Sequence, residues 1–173
     1  MAKKVTKAPE YTVIRDTREQ QGYHFKPYNL CIGMEDSKLD TGDYTIKGLE
    51  DKICVERKAS VTELALNLGQ DKMRFMKEIE RMKEFPHRYL VLEFSMADVS
   101  KFPEGTKVRK DSLRKGSKNP LKITGKYILR CLMEFEIFDD INVVFCGDKY
   151  NGFMYVSSLF KRVNEKYSIG RGT

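Results

Sequence analysis

The chain has 173 residues, of which 40% are hydrophobic and 33% charged, and a formal net charge of +7. That is enough for one domain with a real core, and no apolar run nears the ~18 residues needed to span a bilayer. Cys31, Cys54, Cys131 and Cys146 stand far apart without a Cys-x-x-Cys pair, which argues against zinc and for reduced thiols inside the cell, and the excess of base suits a polyanionic partner without by itself separating DNA from RNA or a membrane surface.

Residues 1–10 are polar, with Lys3, Lys4 and Lys7, and read as a disordered basic tail; the domain proper runs over 11–167 and a polar tail over 168–173. Tyr11 to Ile14 reads as a first strand running into Arg15-Asp16-Thr17-Arg18-Glu19. Gln20 to Asp40 is punctuated by Gly22, Pro27 and Gly33 and reads as irregular, with aromatic mass from Tyr23, Phe25 and Tyr28. His24 has no second ligand at metal spacing, so it reads as an ordinary, partly exposed histidine.

Gly42 to Lys58 alternates apolar with polar on both flanks of Gly48-Leu49-Glu50-Asp51-Lys52, which is a β-hairpin pattern. With the turn near Leu49–Asp51, the ladder folds Asp43 back to about the level of Glu56. Strand side chains alternate faces, so Glu56 and Lys58 share one face and Val55 and Arg57 the other. Asp43, Glu56 and Lys58 then meet at one end of a rigid hairpin. Two hard carboxylates suit Mg²⁺ (or Mn²⁺), which binds through one or two such groups and the substrate's phosphate. A lysine beside them can orient a water or neutralise charge on a phosphate.

Beyond Lys58 the period shifts to about 3.6. Ser60 with Glu63 forms a capping-box pattern, and Val61, Leu64 and Leu68 make one stripe. A second helix is expected over about 71–85, with Met73, Met76, Ile79 (or Glu80) and Met82–Lys83 crossing its buried edge and Pro86 as the stop. Arg88 to Phe94 reads as a central strand, with Glu93 marking its end. Residues 100–123 form a long basic loop carrying Lys107, Arg109, Lys110, Arg114, Lys115, Lys118 and Lys122, candidates for phosphate contact. Thr124 can cap a helix to about Phe138; Ile141 to Cys146 reads as a strand, and a last helix runs from Asn151 to about Tyr167. Both of these helices are apolar over more than one face, which marks an interface and points to a twofold homodimer.

Gly42-Asp43 followed by Glu56-Arg57-Lys58 resembles the signature of the XPF-type structure-specific nucleases, a branch of the restriction-endonuclease-like PD-(D/E)xK superfamily. Asp16, Arg18 and Glu19 resemble that family's first motif, Asp-x-Arg-Glu, and Arg74-Phe75 its Arg-hydrophobic pair. The family's trailing Asp falls on Thr62, and a one-residue slip makes Glu63 its equivalent. The resemblance implies an α/β three-layer sandwich with a central mixed sheet flanked by helices. It also implies Mg²⁺- or Mn²⁺-dependent hydrolysis of branched DNA, at flaps, forks or Holliday junctions, in repair, recombination or replication. Asp43, Glu56 and the carbonyl of Arg57 would hold the metal, and Lys58 would position or activate the water. Asp16 and Glu19 would extend the acidic site, Arg18 and Arg57 would steady it or contact phosphate, and Arg74 would bind phosphate or snorkel from its helix. The family also pairs through its C-terminal helices. In larger members a helix-hairpin-helix module follows; the expectation here is a stand-alone nuclease domain, working in the cytoplasm, nucleoid or nucleus. The rival expectations are a catalytically idle, DNA-binding or partner-pairing member, and a nuclease of the same fold acting on ends or RNA.

Overall fold

The computed structural model describes residues 8–104 and 123–169, arranged about one six-stranded sheet. The strands are β1 (Tyr11–Asp16), β2 (Cys31–Ser37), β3 (Tyr44–Ile46), β4 (Ile53–Lys58), β5 (His87–Leu92) and β6 (Asn142–Phe145). Their spatial order is β2-β1-β3-β4-β5-β6. β3 runs antiparallel to both neighbours, whereas β1–β2, β4–β5 and β5–β6 are parallel, so the sheet is mixed. The helices are α1 (Val61–Leu68), α2 (Lys72–Met82), α3 (Met96–Lys101), α4 (Gly125–Asp139) and α5 (Lys149–Ile169).

Two apolar layers sandwich the sheet. On one face Leu64, Leu68, Phe75, Ile79, Ile128 and Leu132 from α1, α2 and α4 pack on Cys54, Leu90 and Leu92. On the other, Val156, Phe160 and Val163 of α5 join Tyr23 and Phe25 over Val13, Tyr44, Val55 and Val91. This is the three-layer α/β sandwich with a mixed sheet that the sequence implies. Every residue of β4 is buried, as befits a central strand covered on both faces. The described cysteines are all free, and no described helix is long and apolar enough to cross a membrane.

The expected elements form, with four differences. Residues 31–37, expected to be irregular, form β2, an edge strand parallel to β1. Gly33, at φ +146°, interrupts its alternation, and the register slips beside it; the strand is held by β1 and by ion pairs such as Arg15–Asp36 at 2.8 Å. A short helix, α3, rises within the stretch after β5, started by a capping box between Ser95 and Asp98. α5 begins two residues before Asn151, whose N–H is taken by Asp148. The phase of α2 is also different: Phe75, Ile79 and Met82 are buried, whereas Met73 is 78% exposed and Met76 also faces solvent. Phe75 sets that phase by packing edge-on against Phe135, at 6.0 Å between ring centres. Lys107, Arg109, Lys110, Arg114, Lys115, Lys118 and Lys122 lie outside the described residues, as do the first seven residues and the last four.

Candidate active site

The alternation of β4 sorts the motif by face. Ile53 and Val55 enter the core beneath α5, so Arg57 follows them; Cys54 enters the core beneath α1 and α2, so Glu56 and Lys58 follow it. Glu56 and Lys58 are joined there, Nζ donating to Oε1 at 2.7 Å. The ammonium also sits 4.9 Å above the ring of Phe75 and 3.8 Å from Glu63.

Asp43 lies just before β3, at the level the hairpin register requires. Its N–H donates to Val55 O and its C=O accepts the N–H of Asp16, both at 2.8 Å. Its Oδ2 accepts the N–H of Arg57 at 2.7 Å. The preceding Gly42 has φ +76°, and a Cβ there would stand 2.5 Å from Cys54 Sγ. No other residue fits that turn.

Asp43, Glu56 and Lys58 line a cleft of about 550 Å³ whose rim carries Arg74 and Glu63. Burial, and next the charge of Glu56, push the Asp43 carboxyl well above the usual range, and the Arg57 N–H offsets this only in part. Burial likewise raises Glu56, although Lys58 opposes it. For Lys58 burial works against the charge, but Glu56 outweighs it, and the ammonium is held above its ordinary pKa. The cleft therefore holds two buried carboxyls with a single ammonium between them.

That donor set fits a hard divalent cation. Each carboxylate has one oxygen engaged within the protein, and both carboxylates border the cleft. The carbonyl of Arg57 leaves β4 by the same edge as its N–H, the edge that Asp43 occupies. Among the described residues no three His, Cys, Asp or Glu side chains form a ready-made cage. Mg²⁺ does not need one, since it keeps several waters and takes one or two carboxylates.

The other residues expected at the site, Asp16, Arg18, Glu19, Arg57, Glu63 and Arg74, also border this cleft, and their side chains have these partners. The Arg57 guanidinium is on the opposite face of the sheet, with Nε and Nη2 on Glu93 at 2.7 and 2.9 Å and Nη1 on Glu19 at 3.2 Å. It also lies 5.5 Å over the ring of Tyr23, so it steadies the strand from beneath and does not project to a phosphate. Asp16 is buried, and its oxygens accept Arg18 N, Nε and Nη2 and the N–H of Leu39 at 2.7–3.0 Å. Burial alone would raise its carboxyl, but these donors hold it low. A carboxylate offers about four acceptor positions, and here all are used. Asp16 thus ties β1 to the chain near Leu39 and has no lone pair left for a metal. Arg18 is committed to that corner, donating also to Leu39 O at 2.7 Å.

Glu63 keeps a carboxylate at the cleft while capping α1: its N–H donates to Ser60 Oγ at 3.1 Å and its Oε2 accepts the N–H of Ala59 at 2.8 Å. The return arm of the capping box thus lands one residue earlier than the motif implies. Arg74 is 81% solvent-exposed in its side chain, with Asp71 at 3.9 Å as its ion-pair partner. Glu78 and Arg81, the latter donating to Thr41, complete one wall of the site, and no pattern in the sequence points to them. Glu78 lies three residues after Phe75 and one before Ile79, so only the true phase of α2 brings it to the cleft.

Two solved structures are similar to this one. XPF from Aeropyrum pernix matches with a TM-score of 0.56 and 19% identity, over 86% of this chain and 64% of that one. XPF from Aeropyrum pernix in complex with DNA matches with a TM-score of 0.59 and 17% identity, over 91% and 66%. The chain therefore spans just under two thirds of the length of either, and at such identities the likeness is one of fold. No curated protein matches the sequence. The family model of the ERCC4 domain matches residues 15–159, which takes in the end of β1, the hairpin, the cleft and the first half of α5. With most of its length inside that match, the chain belongs to the ERCC4 domain family.

Proposed function

We propose that this chain is a divalent-metal-dependent DNA endonuclease that hydrolyses phosphodiesters in branched DNA, such as flaps, forks and four-way junctions. The observation that carries the reading is the meeting of Asp43, Glu56 and Lys58 on one face at the cleft, in a chain of the ERCC4 domain family. A similar fold in complex with DNA supports the choice of nucleic acid. Mg²⁺ or Mn²⁺ held by Asp43, Glu56 and the Arg57 carbonyl would polarise the phosphoryl group and lower the pKa of a water. In the reaction a water oxygen bonds to phosphorus, the bond to the leaving sugar oxygen breaks, and that oxygen takes up a proton. Lys58, held charged by Glu56, stabilises the negative charge growing on the phosphate and is not the base. Glu63 and Arg74 stand on the rim, where incoming phosphates pass.

The assembly proposed is a twofold homodimer. Ile137 and Phe138 on α4 are 69% and 75% exposed, and Tyr150 and Met154 on α5 are also exposed. These two helices flank β6, the edge strand of the sheet. A free edge between exposed apolar groups is a surface that favours cover. Phe135, Val156, Phe160 and Val163, in contrast, belong to the core.

Cleavage of matched duplex, flap, four-way junction and single-stranded substrates, DNA and RNA, tests the function with Mg²⁺ and with EDTA. The expected result is metal-dependent incision of branched DNA. Binding without incision would make the chain a catalytically idle member, and a preference for RNA or for ends would overturn the substrate class.

A further inference from the structure

We propose that Glu78 is a positioning residue that sets Asp43 for metal binding, acting through the turn before it and not as a ligand; this rests on the reading of Asp43 as a metal ligand. Glu78 Oε1 accepts the N–H of Gly42 at 2.8 Å. Its Oε2 is paired with Arg81, whose Nε donates to Thr41 Oγ1 at 2.9 Å. One side chain pair on α2 therefore grips two successive residues, Thr41 and Gly42, immediately before Asp43.

The turn needs such a grip. Gly42 has no side chain to anchor it, and its left-handed backbone is close against Cys54 and Val55. Its N–H is buried at the edge of the cleft, and an unpaired buried N–H costs about 1–3 kcal/mol. Asp43 is then pinned from its other sides by Val55, Asp16 and Arg57. Among the described residues the α2 clamp is the one of these holds that comes from outside the sheet, so it bears on how far the Asp43 carboxylate stands from Glu56. Both oxygens of Glu78 are engaged in the clamp, one by the Gly42 N–H and one by Arg81, which orients the carboxylate toward the turn.

The test is Mn²⁺ binding to the DNA-free chain by titration calorimetry, for wild type, Glu78→Ala, Glu78→Gln, Arg81→Ala and Asp43→Asn, with circular dichroism to check folding. Glu78→Ala should weaken Mn²⁺ by about 10–100-fold, the usual effect of removing a group that orients a ligand. Glu78→Gln should restore near-wild-type binding, because the amide oxygen still accepts from Gly42. Arg81→Ala should lose affinity, but less than Glu78→Ala. A Gln variant as weak as the Ala variant would mean that Glu78 acts by its charge and would overturn the proposal, as would wild-type binding by Glu78→Ala. If Glu78→Ala fails to fold, Gln and Arg81→Ala decide: unchanged affinity in Arg81→Ala, or a Gln variant weaker than it, refutes the clamp. Unchanged Mn²⁺ binding by Asp43→Asn is a different failure, since it removes the metal site itself.

Discussion

Lys58 Nζ lies 2.7 Å from Glu56 Oε1, so the ammonium at the end of β4 is held by the carboxylate two residues before it. That contact keeps Lys58 protonated against its burial and gives it a fixed direction into the cleft. Lys58→Ala should slow single-turnover cleavage of a flap by at least about 100-fold, the effect of losing one electrostatic stabiliser. Binding of the flap should change little. A lysine acting as base would need its pKa tuned to near 7. The pH–rate profile should therefore show no rising limb near pH 7 that vanishes in Lys58→Ala; finding one would overturn the assignment.

Asp43 carries a stability cost that its neutral analogue removes. Its folded-state pKa is raised well above the unfolded value by burial and by Glu56, so the fold favours the protonated form. The contribution is favourable below the unfolded pKa, near 4, and is lost as pH rises through the folded pKa. At neutral pH, where the unfolded chain ionises this carboxyl freely, an Asp here therefore destabilises the metal-free protein. Asp43→Asn, whose amide oxygen still accepts from Arg57, should raise the Tm in EDTA by on the order of 2–4 °C, what about 1 kcal/mol does in a chain this size. Mg²⁺ should raise the Tm of the wild type and not of the variant. Thermal melts in EDTA and Mg²⁺ check both; a lower Tm for Asp43→Asn in EDTA contradicts the electrostatics.

Arg57 and Glu93 form a buried, two-bonded pair, with side chains 6% and 4% exposed. Removing one partner leaves the other charged and unpaired, at a cost of about 3–5 kcal/mol. Glu93→Ala should lose stability in that range by urea denaturation. Arg57→Lys should also lose stability, since an ammonium cannot make the two parallel bonds. Replacing both residues by Met should cost less than either single change to Ala. A loss below about 0.5 kcal/mol in Glu93→Ala, the range of neutral surface changes, would show that the pair does not hold the strand.

Ile137 and Phe138 are exposed at the end of α4, so charge there should leave the fold intact. The double change Ile137→Asp and Phe138→Asp should convert the proposed dimer to monomer, with an unchanged circular dichroism spectrum. Light scattering at micromolar concentration reads this directly. A wild-type monomer under the same conditions removes the dimer.

Much of this was legible in the sequence. Period-2 alternation placed Glu56 and Lys58 on one face and Arg57 on the other, and the hairpin register placed Asp43 opposite them. What escaped was long-range or irregular. The oxygens of Asp16 are filled partly by Leu39, a partner on another segment that no local pattern announces. β2 escaped because Gly33 breaks the alternation and, among the described strands, β2 has a neighbour on one side alone. Glu78 escaped because the expected stripe of α2 counts Met73 and Met76, which are exposed, and omits Phe75, which joins Ile79 and Met82 in the core. A methionine is flexible enough to sit on either side of a helix, so it is a poor guide to phase.

β4 leaves no side chain in solvent: its first half fills the layers on both sides, and its second half carries Glu56, Arg57 and Lys58. The chemistry proposed for it is thus set on a strand covered on both faces. Glu56 and Lys58 are buried and joined to each other, so a ligand has to be delivered to them. Accommodation to differently shaped substrates falls to the rim, to the turn before Asp43, and to the substrate itself. In a saturation scan β4 would appear as six intolerant positions in a row, the first three sensitive through folding yield and the last three through yield and turnover together. Altered reactivity is therefore better sought from α2 and the Thr41–Gly42 turn than from the strand that bears the proposed reacting groups.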